Sequence, residues 1–294
     1  MKKINTSSPY TFIMDDFNRG KFIRTYKRSG LNGYKRYVPL KKIFELLKRS
    51  NIKHPRVIKN RLFYLDIEFI EGSPIPENFK PSLMLNLFCN NLFEMRQINC
   101  RNILSDIPYR SNQGFLNDNI NNLLVVMDRL GNYETLDRVG LRRDMVVALK
   151  SIAVDDTRPM QLIHGDFSPE NIIMRGNDYF IIDWEFATLG DIAYEIALHM
   201  MYFKYDDEEK NQLFQRIAQT LNIDINSLVN DVRTYTKFEL MRRTFLKFNR
   251  AINLAKRGKP FDEILLDGFN YYAQISNAYT IESVRQTFRD LYRG

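Results

Sequence analysis

Hydrophobic residues follow two different periods along this chain: most early segments have a strand pattern, and most later segments have a helical one. The early runs YTFIMD, KFIRTYK and RLFYLDIEFIEG are short and rich in β-branched and aromatic residues, which is typical of strands. The segment VPLKKIFELLKRS lies between them, with Leu40, Ile43, Phe44 and Leu47 at helical spacing. The pattern predicts a small, β-rich, amino-terminal lobe with one helix over residues 1–72.

A polar, proline-containing stretch, SPIPENFK, follows at residues 73–80, and it is the candidate linker between two lobes. From Pro81 onward the periodicity is helical in most segments, for example in PSLMLNLFCNNLFEMRQI and DIAYEIALHMMYF. One short hairpin pattern is embedded in this part. We therefore predict a bilobal α+β protein whose larger, helical lobe covers residues 81–294.

The embedded hairpin lies within LIHGDFSPENIIMRGNDYFIIDWEFA, where polar residues flank two apolar runs. A three-residue turn at Gly176–Asp178 would place Asn171 directly opposite Asp183, on the same face of the hairpin. Asp166 lies five residues before Asn171, in the loop that enters the first strand. An Asx-rich turn that merely flanks a hairpin is the alternative, but turn chemistry does not require this opposed pair.

These three side chains have the layout of phosphoryl transfer. An amide oxygen and a carboxylate are hard ligands of the kind that Mg²⁺ binds together with water and phosphate oxygens. We therefore expect Asn171 and Asp183 to share a Mg²⁺ ion. A further carboxylate, Asp166, would orient and deprotonate an attacking hydroxyl.

The same stretch resembles the aminoglycoside phosphotransferase and choline kinase family, which is related to the protein kinases. HGDFSPEN is similar to the family's catalytic loop, IIDWEFA to its metal-binding strand end, and GDIAYEIA to the segment that follows. The resemblance implies a protein-kinase-like fold, ATP as the phosphate donor, Asp166 as the catalytic base, and Asn171 and Asp183 as Mg²⁺ ligands. It makes His164 a residue that supports the loop.

The resemblance also implies a phosphate-binding site in the small lobe. It places the phosphate loop at Thr6–Pro9, where Ser7 and Ser8 stand instead of the usual glycines. It aligns Arg24 with the family's phosphate-binding cation, and an exposed strand arginine is the alternative. The family pairs this cation with a glutamate on the next helix, but Leu40 occupies that position here. The possibility that this protein binds a nucleotide but is inactive therefore stays open.

The segment FIEGSPI resembles the hinge between the lobes in this family. The resemblance implies that backbone groups of Glu68, Phe69 and Ile70 bind the adenine edge of the nucleotide. Backbone donors of this kind do not distinguish ATP from GTP by themselves.

The acceptor is less well defined, because members of the family phosphorylate aminoglycosides, choline, ethanolamine and sugars. IDWEFA is more similar to choline kinases, whereas HGDF is more similar to the antibiotic kinases. A cationic acceptor needs carboxylates or aromatic faces, so Glu185, Asp191 and Glu239 are candidate acceptor residues. Asp191 is equally suited to cap the next helix. We predict a small, amine-bearing acceptor; a sugar or a protein acceptor is the alternative.

Composition narrows the partners only slightly. The formal charge is +8 over 294 residues, but the basic residues are scattered, so a nucleic-acid partner is disfavoured. No apolar run approaches the roughly 18 residues that span a membrane. The start MKKINTSSPYTF lacks the apolar core of a secretory signal, and the chain has only two cysteines, which favours the cytoplasm. Nothing in the sequence indicates the oligomeric state.

Overall fold

The computed structural model describes residues 2–5, 11–16, 20–26, 37–76, 79–276 and 280–292. The first part of the chain forms a five-stranded antiparallel sheet in the order β1-β2-β3-β5-β4. Its strands are β1 (Lys2–Asn5), β2 (Thr11–Asp16), β3 (Gly20–Tyr26), β4 (Val57–Asn60) and β5 (Tyr64–Glu68).

A single helix of the small lobe, α1 (Leu40–Leu47), follows Pro39 and separates β3 from β4. Its inward stripe contains Ile43, Phe44 and Leu47, which are almost completely buried. They belong to the main hydrophobic core together with Leu65 of β5. The helical spacing in the sequence therefore predicts this element correctly.

The rest of the described chain is mainly helical. Its helices are α2 (Pro81–Gln97), α3 (Asn112–Leu130), α4 (Tyr133–Arg138), α5 (Arg143–Ala148), α6 (Ile192–Tyr202), α7 (Asp207–Leu221), α8 (Ile225–Ala255), α9 (Asp262–Tyr272) and α10 (Ile281–Tyr292). The predicted α+β organisation, with a small sheet lobe and a larger helical lobe, is confirmed. No helix in the described ranges is both long enough and apolar enough to cross a membrane.

Short strands inside the helical part carry the candidate site. They are β6 (Ser73–Pro74), β7 (Gln161–Ile163), β8 (Ile172–Arg175), β9 (Asp178–Ile181) and β10 (Thr188–Gly190). Strand β7 pairs with β10, while β8 pairs with both β6 and β9, all antiparallel. The catalytic-loop sequence therefore runs from the end of β7 to the start of β8.

The predicted hairpin exists, but its predicted register is wrong by one residue. Arg175 pairs with Asp178, not with Tyr179, so the turn contains two residues rather than three. Gly176 takes the left-handed conformation at the first turn position, with φ +62°, which matches the glycine preference of tight hairpin turns. Because strand side chains alternate between faces, this slip removes the direct opposition of Asn171 and Asp183.

The connection between the lobes crosses the β8–β9 hairpin at very short range. Gly72 has φ +155°, and a Cβ atom built there would lie 2.2 Å from the carbonyl oxygen of Met174. Only glycine can occupy this crossing. Strand β6, immediately after it, pairs with β8 in the sheet of the large lobe. The placement of the linker at residues 73–80 stays a prediction.

Candidate active site

His164, at the end of β7, fixes the loop that carries Asp166. Its ring is fully buried, its Nε2 donates to the carbonyl oxygen of Ile182 over 2.9 Å, and its Nδ1 accepts the Asp166 N–H over 3.2 Å. Burial lowers the pKa of His164, so the ring is neutral with its proton on Nε2. The supporting role expected for His164 agrees with these bonds.

Asn171 holds the other end of the loop. Its amide nitrogen donates to the backbone oxygen of Asp166 over 2.9 Å and to Asp166 Oδ2 over 3.1 Å. Both bonds use the nitrogen, so the amide oxygen remains the acceptor end of this buried side chain. The two residues predicted as base and metal ligand are therefore in direct contact.

Asp183 reaches the same neighbourhood by a different route from the one predicted. The amide of Ile182 donates to the carbonyl oxygen of Asn171 over 2.9 Å, so the hairpin ladder extends to the residue before Asp183. Asp183 then adopts the left-handed conformation, with φ 59° and ψ 48°, and its side chain is exposed. This conformation is uncommon for a residue with a side chain and is characteristic of functional sites.

The donor set fits a hard cation only as an incomplete shell. Within the described ranges, no group of three or more histidine, cysteine, aspartate or glutamate side chains is arranged to hold a metal ion. Asn171 and Asp183 supply one amide and one carboxylate ligand at most. Mg²⁺ is the ion that tolerates such a set, because it keeps waters and takes phosphate oxygens as its remaining ligands.

Gly165 and Glu195 buttress the loop from the side of helix α6. Gly165 has φ +78°, and a Cβ atom there would lie 2.7 Å from the carbonyl oxygen of Phe186. The Gly165 N–H donates to Glu195 Oε2 over 2.9 Å. Burial raises the pKa of Glu195 to about 7, with the nearby Asp166 charge as a smaller cause.

Two residues that the sequence did not reveal also belong to the site. The hydroxyl of Tyr202, at the end of α6, donates to Asp166 Oδ1 over 2.6 Å. Arg243, in the middle of α8, donates from Nη2 to the Tyr202 oxygen over 2.8 Å. They lie 36 and 77 positions after Asp166, so no local motif links them to the loop.

Arg24 is held by a residue other than the helix glutamate that the resemblance implies. Strands β3 and β5 pair Arg24 with Asp66, and the two side chains form a bidentate ion pair with distances of 2.7 and 2.8 Å. The bond to Asp66 raises the pKa of Arg24. Strand alternation places Arg24 on the face opposite Ile23, whose neighbours Leu65 and Ile67 lie in the main core.

This geometry explains why Leu40 can stand at the expected glutamate position. Helix α1 contributes Ile43 and Phe44 to the main core, and the Arg24 pair lies on the other sheet face. Glu45, the acidic residue of α1, pairs with Lys41 instead. The Nη1 group of Arg24 remains as a donor for a phosphate oxygen, so its predicted role is neither confirmed nor excluded by the ion pair.

In the predicted hinge, the backbone of Glu68 is already hydrogen-bonded, whereas that of Phe69 and Ile70 is not bonded to another described residue. The N–H of Glu68 donates to the carbonyl oxygen of Arg56, and its carboxylate accepts bonds from the same arginine. Phe69 and Ile70 make no backbone hydrogen bond with another described residue. Ile70 packs with Ile173 and Phe180 in a small apolar cluster. Ser7 and Ser8 lie outside the described residues.

Two of the predicted acceptor residues are used inside the protein. Asp191 is completely buried; it caps α6 at Ala193 N–H over 3.0 Å and pairs with the buried guanidinium of Arg158 over 2.9 Å. Its alternative role as a helix cap is confirmed. Glu239 is also completely buried, and Tyr194 and Arg242 bond to its oxygens. We therefore leave both carboxylates out of the acceptor site.

Glu185, the third predicted acceptor residue, lines a small cavity beside the loop. The cavity measures about 60 Å³ and touches Gly165. A water molecule needs at least ~10–15 Å³ measured in this way, so the cavity can take a small chemical group rather than a large ligand. Its aromatic and acidic lining includes Tyr37, Tyr109, Phe115, Tyr194, Asp118 and Glu185.

Several solved kinases share the fold of this chain. An ethanolamine kinase of Plasmodium vivax aligns with a TM-score of 0.64 and 16% identity, over 93% of this chain and 80% of the other. The choline kinase LicA of Streptococcus pneumoniae gives 0.63 and 13%, over 97% and 93%. The GDP and kanamycin complex of an APH(2") enzyme gives 0.60 and 14%, over 95% and 93%. The predicted protein-kinase-like, bilobal fold is confirmed.

The fold and the loop geometry together place this chain in the protein-kinase-like fold class. The model of the phosphotransferase enzyme family, APH, matches residues 41–224, which is more than half of the chain. The protein belongs to this family, as the catalytic-loop sequence indicates.

A thiamine kinase of Salmonella paratyphi B is similar over a shorter stretch. The two chains are 31% identical over 88 residues, which cover 29% of this chain and 31% of the relative. The chain thus spans about a third of the length of the curated relatives that it matches. This similarity adds to the family assignment and leaves the acceptor to be argued from the site.

Proposed function

We propose that this protein transfers the terminal phosphate of ATP to a hydroxyl of a small molecule, with Asp166 as the base. The observation that carries the proposal is the anchored Asp166 loop, in which His164 and Asn171 hold the backbone and the carboxylate together. Phosphoryl transfer depends mainly on positioning and charge neutralisation. A fixed carboxylate beside a cation site supplies both.

Mg²⁺ would be held by the amide oxygen of Asn171 and the carboxylate of Asp183. When bound, the ion neutralises charge that develops on the phosphate oxygens. The chain's own contribution is that Asp166 holds the Asn171 amide through a hydrogen bond, and that the Asp183 side chain is exposed at a residue with a left-handed backbone.

The adenine would lie at the hinge. This is supported by the backbone groups of Phe69 and Ile70, which have no partner among the described residues, because backbone donors and acceptors near a cleft are normally satisfied by protein, water or ligand. The apolar cluster of Ile70, Ile173 and Phe180 would lie beside the base. Arg24 is proposed to reach a phosphate oxygen through Nη1.

An amine-bearing acceptor is supported by the small cavity beside Gly165. Carboxylates of Asp118 and Glu185 and the rings of Tyr37 and Tyr109 line it, and aromatic faces and carboxylates attract organic cations. Ethanolamine, choline and kanamycin, named for the structural neighbours, all carry an amine or a quaternary nitrogen. The cavity's small volume favours a compact head group over an aminoglycoside ring.

The test is an acceptor panel with labelled ATP and Mg²⁺. Ethanolamine, choline, thiamine, kanamycin, simple sugars and peptides are compared, and we expect transfer to a small amine. Transfer to a sugar or a peptide alone would replace the acceptor proposed here. Nucleotide binding without transfer to any member of the panel would identify a binding protein and contradict the enzymatic proposal.

Substitutions assign the roles. Asp166→Asn keeps the size of the side chain and removes its charge, so transfer is expected to fall by about 10²-fold or more while nucleotide affinity changes little. Asp183→Ala is expected to remove Mg²⁺-dependent turnover. Asp178→Asn is the matched control, because Asp178 lies at the turn of the same hairpin and pairs with Lys53. Unchanged transfer in Asp166→Asn would refute the base assignment.

A further inference from the structure

The carboxylate of Asp166 is bonded on both of its oxygens, and the second bond has no part in the mechanism proposed above. Asn171 occupies Oδ2 over 3.1 Å, and the hydroxyl of Tyr202 occupies Oδ1 over 2.6 Å. Bonds to both oxygens stop the carboxylate from rotating about its terminal torsion, which is otherwise broad. Each oxygen keeps a further lone pair for an acceptor hydroxyl.

Arg243 in turn fixes the hydroxyl of Tyr202. Its Nη2 donates to the Tyr202 oxygen over 2.8 Å, and its guanidinium carbon lies 4.8 Å from the centre of the Tyr202 ring. The ring contact and the hydrogen bond together define the direction of the tyrosine. A phenol oxygen that accepts a bond from a cation also becomes a stronger donor, because hydrogen bonds in a chain polarise one another.

The charge around Arg243 is only partly compensated. Two nitrogens of the Arg242 guanidinium bond the Glu239 carboxylate, with distances of 2.8 Å to Oε1 and 2.5 Å to Oε2. The Nε of Arg243 is 3.5 Å from the same carboxylate and has no hydrogen-bond partner among the described residues. Two arginines and one glutamate leave a net charge of +1 on this cluster. Tyr202 is the group that stands between this charge and Asp166.

A purely structural role for Tyr202 would not require its bond to the Asp166 carboxylate. Tyr202 is the last residue of α6 and is partly exposed, and its ring already packs against Arg243. Anchoring the end of a helix requires that ring contact, not a 2.6 Å bond to a loop residue on another element. The bond therefore points to Asp166 as the group being positioned.

We infer that Tyr202 and Arg243 are positioning residues of the transfer reaction: Arg243 orients Tyr202, and Tyr202 holds Asp166 toward the acceptor hydroxyl. The inference rests on the proposed role of Asp166. In the step, the acceptor oxygen forms a bond to the terminal phosphorus, the bond from that phosphorus to the bridging oxygen breaks, and ADP leaves. The acceptor proton passes to Asp166, and Tyr202 keeps its own proton.

The test compares kcat and KM for Tyr202→Phe, which removes the hydroxyl and keeps the ring. The probe is ATP with the best acceptor of the panel. We expect kcat to fall about 10- to 100-fold, the range for losing a hydrogen bond to a charged group, while KM for ATP stays within about twofold. Arg243→Gln is expected to lower kcat in the same direction, and Arg243→Lys, which keeps a charged donor, to restore part of it.

Double variants separate positioning from general damage. If Tyr202 acts through Asp166, then Tyr202→Phe lowers transfer in the wild-type background but has almost no further effect in Asp166→Asn. Tyr205→Phe is the matched control. It also removes a tyrosine hydroxyl close to the end of α6, but that hydroxyl bonds the His199 ring rather than Asp166, so kcat should be unchanged.

Three results would overturn the inference: unchanged kcat in Tyr202→Phe, an equal loss in Tyr205→Phe, or an equal further loss from Tyr202→Phe in both Asp166 backgrounds. A thermal melt of each variant excludes unfolding as the cause of a loss. Failure of the proposed function itself looks different, because Asp166→Asn would then transfer phosphate as well as the wild-type protein does.

Discussion

The buried carboxyl of Glu195 should make the stability of this protein fall as the pH rises. Burial raises its pKa from 4.5 to about 7, and its Oε1 has no hydrogen-bond partner among the described residues. Between these two values the native state holds a proton that the unfolded state has released. The stabilisation is therefore complete below pH 4.5 and is lost as the pH rises through about 7.

The size of this effect follows from the pKa change. Each pKa unit corresponds to ~1.36 kcal/mol, so moving from 4.5 to about 7 amounts to about 3 kcal/mol. That is a large part of the free energy of unfolding of an ordinary domain. The side chain is fully buried, so no solvent screening reduces the figure.

Urea unfolding of the wild-type protein and of Glu195→Gln at about pH 5 and about pH 8 measures the effect. Glutamine cannot ionise, so the wild-type protein should lose about 2–3 kcal/mol relative to the variant between these conditions. Glu170→Gln, at an exposed position of the loop that Glu195 supports, is the control and should follow the wild-type protein. Parallel pH curves for wild type and Glu195→Gln would refute the reasoning.

Two further substitutions test the frame around the site. Asp66→Asn removes the charge that Arg24 pairs with. Because Asp66 is completely buried, we expect the free energy of unfolding, measured in urea, to fall by about 3 kcal/mol or more. A fall below about 1 kcal/mol would contradict a structural role for the pair. Gly72→Ala should be strongly destabilising, because its Cβ meets Met174. Gly258→Ala, also at positive φ but with nothing within 4 Å, should cost only about 1–2 kcal/mol, and equal thermal shifts for the two variants would argue against the crossing.

The contact between Asp166 and Asn171 could be predicted because the two residues are close in sequence. Five residues of loop separate Asp166 from Asn171, so a contact between them needs no knowledge of the distant chain. The hairpin register could not be predicted in the same way. Turns of two and of three residues both fit Gly176–Asp178, and the two choices move Asp183 to opposite faces. Asp183 also adopts a left-handed backbone, which no pattern of residue types reveals.

The partner of Arg24 was hidden for a different reason. Asp66 lies 42 residues away, and the pairing depends on the register between β3 and β5, which is set by tertiary structure. A resemblance can transfer an expected partner only where the sequence still has it. The missing glutamate at Leu40 was a correct sign of change, but it did not show which strand would supply the carboxylate.

Tyr202 and Arg243 mark the limit of sequence reasoning at this site. Tyr202 ends α6 and Arg243 lies in the middle of α8, and the packing of α6 on α8 brings Tyr202 to Asp166 and Arg243 to Tyr202. Asp191 and Glu239 show the opposite error. Their residue type suits a cation, but burial and arginine partners use the charge inside the fold.

The short strand β6 also restricts how the two lobes can move. Ser73 and Pro74 are paired with β8, so the chain beyond Gly72 travels with the large lobe. Phe69–Gly72 is therefore one pivot for a rotation of the small lobe, and the bond from the Ile181 N–H to the Lys53 carbonyl oxygen is a second link between the lobes. Atoms near a rotation axis are displaced least, so a nucleotide base bound at Phe69 and Ile70 would keep its contacts while the lobes open and close. Its phosphates, farther from the axis, would swing relative to Asp183.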